Sequence, residues 1–157
     1  MATNSGQLPL APIDQILADY RAGKMVIIVD DADRENEGDL AVAAEHATAE
    51  NLAFMMREAR GLICVSLSRE FADKLQLPPQ VENNNSAYST PFSVSIDHIS
   101  TKDSGVTAAA RAQTIRALLD TNAAPQHFVS PGHVFPLIAN PAGVLGRDGQ
   151  TEGSFDL

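Results

Sequence analysis

A chain of 157 residues and 16.7 kDa has the size of one ordinary domain, able to bury roughly two-thirds of its unfolded surface. Hydrophobic residues are 44% and charged residues 20%, a globular balance, with a core that must rest on Ala, Val, Ile, Leu and Met because there is no Trp. The single cysteine, Cys64, excludes an intrachain disulfide framework and a cysteine-built zinc site, and a formal charge of −9 argues against nucleic-acid or anionic-membrane partners.

In chain order, Ile13, Ile16, Leu17 and Tyr20 fall on one helical face, and Gly23 supplies a stop. Met25 to Val29 is a continuous apolar run, read as a buried strand. The polar stretch Asp30 to Asp39 follows, then a second short strand over Leu40 to Ala44. Thr48 caps a helix whose apolar face is Leu52, Met55, Met56 and Ala59, and Gly61 ends it. Leu62 to Leu67 is a strand, and Ser68 caps a short helix with Phe71 and Leu75 before Pro78-Pro79. A loop covers residues 80–91. Phe92, Val94 and Ile96 alternate with serines as a half-buried strand. After a polar loop, Ala108 to Leu119 is a helix with Ala112, Ile115, Leu118 and Leu119 inward. Pro131-Gly132 turns the chain into a strand over Val134 to Ala139, and a glycine-rich loop, Gly143 to Gly149, leads to a helix starting at Thr151. The expected architecture is α+β, a mixed sheet with helices on its faces, in a single domain over residues 1–157. No run is apolar over the 18 or so residues a bilayer span needs, and Met1 to Leu10 lack a basic, apolar leader, so a cytoplasmic setting is expected.

Two constellations carry chemistry. Residues 30–39 hold six carboxylates and one arginine straight after a strand. Such a loop can give a hard divalent cation one or two carboxylates while water and substrate supply the rest, and its crowded carboxyls suit proton transfer. Charge alone is equally compatible with a solvated acidic loop. Arg147-Asp148-Gly149-Gln150-Thr151 offers backbone N–H groups, a hydroxyl and a guanidinium to a phosphate, although a surface turn has the same composition. His133, beside Pro131-Gly132, suits a general acid or base or a turn brace. Cys64 reads as a small core hydrophobe, and His46, His98 and His127 as surface or capping residues.

Val29-Asp30-Asp31, Asp33 through Asp39, Arg60-Gly61-Leu62-Ile63-Cys64-Val65 and Pro131-Gly132-His133-Val134-Phe135-Pro136-Leu137 stand in an order and spacing that resemble 3,4-dihydroxy-2-butanone 4-phosphate synthase of riboflavin biosynthesis, from about Ile13 to Leu157. The resemblance implies a homodimer with sites near the subunit interface, dependence on Mg²⁺ or Mn²⁺, and conversion of D-ribulose 5-phosphate to L-3,4-dihydroxy-2-butanone 4-phosphate and formate. Carried over by position, Glu35 ligates the metal, and Gln150 stands where the family has a histidine ligand. Arg34, Glu35 and Asp39 meet the sugar phosphate. Glu37, Asp39 and His133 are the catalytic candidates, and Arg147, Asp148, Gly149 and Thr151 form the phosphate loop.

Three departures accompany the resemblance. A Gln oxygen binds hard cations but does not titrate, and it is a weaker ligand than His for borderline metals. Ala110 precedes Arg111 where the family has an Asp. The sequence ends at Leu157, whereas the family continues into a segment carrying a glutamate implicated in proton transfer. The resemblance therefore leaves open an active synthase, a non-catalytic homologue that binds a sugar phosphate or a partner protein, and a shortened product of impaired function.

Overall fold

The computed structural model describes residues 10–157 and begins with helix α1 (Ile13–Arg21). Ile16, Leu17 and Tyr20 turn inward, whereas Ile13 stays exposed. The helix stops where Gly23 takes φ +78°, letting the N–H groups of Gly23 and Lys24 close on the carbonyls of Tyr20 and Asp19.

Strand β1 (Val26–Val29) pairs antiparallel with β2 (Gly38–Ala41), Val26 opposite Ala41 and Val29 opposite Gly38. The second strand thus starts two residues before the expected Leu40, and Asp39 sits in the ladder opposite Ile28. The unbroken apolar run predicts a strand covered on both faces. Instead Val26 is buried and Ile28 half-buried while Ile27 and Val29 are exposed, because among the described residues one face of the β1-β2 pair is left open to solvent.

Thr48 accepts the Asn51 N–H at the start of α2 (Ala49–Glu58), which buries Leu52. The left-handed residue at its end is Arg60 (φ +61°), one position before the expected Gly61. Strand β3 (Cys64–Leu67) leads through Ser68, which caps α3 (Arg69–Lys74) by accepting the Phe71 N–H. Strand β4 (Ile96–His98) is shorter than the alternation from Phe92 suggests, since Phe92 and Ser93 pair only as isolated bridges, with Leu137 and Pro79. Thr107 caps α4 (Ala108–Ala117), which lies against α2 and buries Ala112 and Ile115. Leu119 falls beyond the end of α4 and is exposed, not inward.

The expected turn at Pro131-Gly132 is instead an irregularity inside one long strand, β5 (Phe128–Ile138). Phe128 and Val129 pair with His98 and Asp97, and the ladder then skips to Val134 opposite Ile96. Residues 130–133 bulge out between these pairs. From Phe135 to Ile138 the same strand runs parallel to β3, giving a mixed sheet in the order β3-β5-β4. The α+β expectation holds, with the strands divided between this sheet and the β1-β2 pair. The main core joins Leu52, Leu75, Ile96, Ile115, Val134 and Ile138. Finally, α5 (Gln150–Asp156) packs against β1 and β3, which sets its first residues beside the β1-β2 connection.

Candidate active site

The β1-β2 connection is organised around Asp30. Its Oδ2 accepts from Arg34 Nη1 at 2.7 Å and from the Glu35 N–H at 2.9 Å, while Oδ1 accepts from the Glu37 N–H at 2.9 Å. Asn36 takes φ +53° between the two donors, a conformation Asn tolerates better than most residues. Burial alone would raise the Asp30 pKa; the Glu37 N–H, the Arg34 guanidinium and the Glu35 N–H overcome it and hold the carboxyl below the ordinary range. The sequence reading gave Asp30 no individual role. Its signal was the four-residue spacing to Arg34.

Arg34 joins the two loops. Its Nη2 lies 3.0 Å from Glu35 Oε1 and its Nε 3.6 Å from Asp148 Oδ1, and Nη1 also donates to Gln150 Oε1 at 3.3 Å. Its guanidinium carbon stands 5.3 Å from the centre of the Tyr88 ring, and the Tyr88 hydroxyl donates to the Arg34 carbonyl at 2.8 Å. Tyr88 comes from the 80–91 loop, where no pattern marked it. Gln150 is buried, and its Nε2 has no partner among the described residues. Its oxygen must face Arg34, because a flipped amide would set two donors against each other.

Beside this junction lies a cleft of about 440 Å³ whose lining includes Glu37, Asp39, Cys64, Ser66, Thr151 and Ser154. Burial raises the Asp39 pKa, and Glu37, Glu35 and Asp30 raise it further by repulsion. Cys64 reaches the cleft surface, but the protein packed around it, together with the charge of Asp39, pushes its thiol up to about 12. At neutral pH it is a protonated thiol and a poor nucleophile.

The second loop departs from expectation at Arg147. A free guanidinium fork was expected; instead Nη1 is 2.7 Å from Oε2 of the fully buried Glu152, and Nη2 donates to the Tyr88 carbonyl at 3.4 Å. Glu152 Oε1 accepts the Asn140 N–H at 2.9 Å, so Arg147 braces the start of α5 and lines a different depression from Thr151. Gly149 is required for that brace, since a Cβ would lie 2.1 Å from Arg147 Nη1. The Asp148 side chain is largely exposed at the rim.

His133 does not line the cleft. It stands on the β5 bulge with Nδ1 2.7 Å from Asp97 Oδ2. Among the described residues, no three His, Cys, Asp or Glu side chains gather as a metal-holding group. Glu35 and Gln150 do meet on one guanidinium, so two oxygen donors converge there.

A family model described as 3,4-dihydroxy-2-butanone 4-phosphate synthase matches residues 14–157. The chain is 51% identical over 146 residues to riboflavin biosynthesis protein RibBA of Bacillus subtilis, covering 93% of this chain but 36% of that protein. It is 47% identical over 150 residues to the 3,4-dihydroxy-2-butanone 4-phosphate synthase of Agrobacterium fabrum, covering 96% of this chain and 70% of that one. A crystal structure of a 3,4-dihydroxy-2-butanone 4-phosphate synthase in complex with two magnesium ions superposes with a TM-score of 0.89 at 40% identity, over 92% of this chain and 68% of that one.

Proposed function

The chain belongs to the 3,4-dihydroxy-2-butanone 4-phosphate synthase family, and from that premise we propose that it converts D-ribulose 5-phosphate to L-3,4-dihydroxy-2-butanone 4-phosphate and formate, a lyase step of riboflavin biosynthesis. The observation that carries the reading is the meeting of the two loops at Arg34, beside a cleft lined by Glu37, Asp39 and Thr151.

The five-carbon substrate must lose a proton to form an enediol, rearrange its skeleton and release one carbon as formate. Arg34 and Asp39 hold the sugar phosphate, with Asp148, Gly149 and Thr151 at the same end. Asp39, with its raised pKa, and Glu37 exchange protons with the sugar. Cys64 stays protonated and shapes the wall.

The donor set fits Mg²⁺ or Mn²⁺ bound through oxygen: Glu35 supplies a carboxylate and Gln150 a carboxamide oxygen, and a hard cation needs few protein ligands when water and substrate complete its shell. When bound, such a cation stabilises the enediolate oxygens as a Lewis acid.

His133 carries the remaining acid/base role. In the homodimer that the family resemblance implies, the site would be completed across the subunit interface. A doubled mass in light scattering is expected for this assembly.

The test is to incubate the purified chain with D-ribulose 5-phosphate and Mg²⁺ and follow formate by proton NMR, with a chelator control. Chelator-sensitive formate is expected. Folded protein that binds the sugar phosphate and yields no formate would replace the synthase reading with that of a non-catalytic binder.

A further inference from the structure

The bulge of β5 leaves consecutive backbone N–H groups to be satisfied by side chains of β4 and of the residue just before it. Ser95 Oγ accepts the Gly132 N–H at 3.1 Å, and Asp97 Oδ1 accepts the His133 N–H at 2.9 Å. Asp97 has a second oxygen, and the bulge does not need it. Oδ2 lies 2.7 Å from His133 Nδ1. The Asp97 side chain is 3% exposed, whereas that of His133 is 44% exposed. Gly105, from the loop before α4, closes over the pair so tightly that a Cβ there would lie 2.0 Å from Asp97 Oδ2 and 2.7 Å from His133 Nδ1. Gly132 lies as close to the Ile96 backbone. The pair is therefore enclosed on its Nδ1 side and open on the other.

We propose that Asp97 is a positioning residue for the reaction: its two oxygens fix both the backbone and the ring of His133, holding the imidazole with the proton on Nδ1 and a free lone pair on Nε2 facing outward. A carboxylate oxygen only accepts, so the short Oδ2 contact selects Nδ1–H. The exposed nitrogen is then a base that becomes an acid once it has taken a proton. The bulge supplies the rigid seat and Gly105 the space. The inference rests on the acid/base role given to His133 above.

Asp97→Asn separates this role from simple bracing of the bulge. Asn keeps Oδ1 for the His133 N–H and places an NH₂ opposite Nδ1, which forces Nδ1 to accept and moves the proton to Nε2. Two readouts are taken. Long-range ¹H–¹⁵N spectra of the neutral ring should show Nδ1 protonated in the parent protein and Nε2 protonated in Asp97→Asn. Formate release should fall about 10²–10⁴-fold in kcat with KM nearly unchanged, and Asp97→Glu should recover part of it.

A parent ring protonated on Nε2 overturns the proposal, and this measurement needs no variant to fold. An Asp97→Asn protein with altered tautomer and parental kcat also overturns it. If the parent protein releases no formate but its ring is protonated on Nδ1, the synthase reading fails while the tautomer assignment stands.

Discussion

Asp39 lies in the cleft among like charges, and it adds to the burial that raises Cys64. Because the folded-state pKa of Asp39 is raised, ionising it opposes folding. Its favourable share is present at acid pH and is lost as pH rises through the folded value. Asp39→Asn should therefore stabilise the protein at neutral pH. The gain should stay within about 1 kcal/mol, since the group is solvent-screened, and should vanish in acid, as read by urea unfolding across pH. The same substitution should lower the Cys64 thiol from its value near 12, so that alkylation by iodoacetamide accelerates at alkaline pH. An unchanged alkylation profile would remove Asp39 as a cause.

The metal reading is tested at two residues. Glu35→Ala should abolish Mn²⁺ binding measured by electron paramagnetic resonance. Gln150→His should tighten it, because a neutral imidazole nitrogen is a stronger electron-pair donor than a carboxamide oxygen. Unchanged binding in the histidine variant would show that position 150 does not ligate. The approach of the acidic string to the loop carrying Gln150 was legible because the family resemblance put both in one site. Tyr88 and the Arg147–Glu152 brace were not, because a lone aromatic in a polar loop and an arginine in a glycine-rich loop carry no pattern that reveals their partners.

Helices α2 and α3 were legible to within a residue or two at Thr48 and Ser68, since a hydroxyl N-cap is a local device that acts wherever it stands. Strand β5 was not, because its continuity depends on partners distant in sequence. Val129 and Val134 are both paired to β4, and only that pairing shows residues 130–133 to be an excursion and not a turn. A direct consequence concerns Gly132. A Cβ there would lie 2.0 Å from the Ile96 carbonyl carbon and 2.3 Å from the Asp97 nitrogen, which is backbone that cannot rotate away. Gly132→Ala should cost at least about 1–3 kcal/mol by overpacking, measured as a shift in urea midpoint. It should also move the His133 ring signals, because the strain enters at the seat of that side chain. Full stability in this variant would mean that β4 and β5 separate more easily than their register implies.

At the scale of the molecule, the charge of −9 and the acidic β1-β2 connection both oppose an anionic sugar phosphate. The local cations do little to reverse this: Arg34 is engaged by Asp30 and Glu35, and Arg147 by Glu152. Encounter with substrate is therefore uphill in the long-range field, and one bound divalent cation, offsetting two of the nine net negative charges, does not reverse it. Screening should help and not hinder. The Debye length shrinks from about 30 Å at 0.01 M to about 8 Å at 0.15 M. At a fixed, saturating concentration of Mg²⁺, raising KCl over that range should lift kcat/KM several-fold. Turnover at saturating substrate should stay constant, since the substrate is then already inside the screened cleft. The sign distinguishes two arrangements. A rise with salt places the acidic loop's field across the approach path. A fall would mean that Arg34 has left its carboxylate partners in the metal-bound state and steers the phosphate inward, with its charge no longer compensated by Asp30 and Glu35.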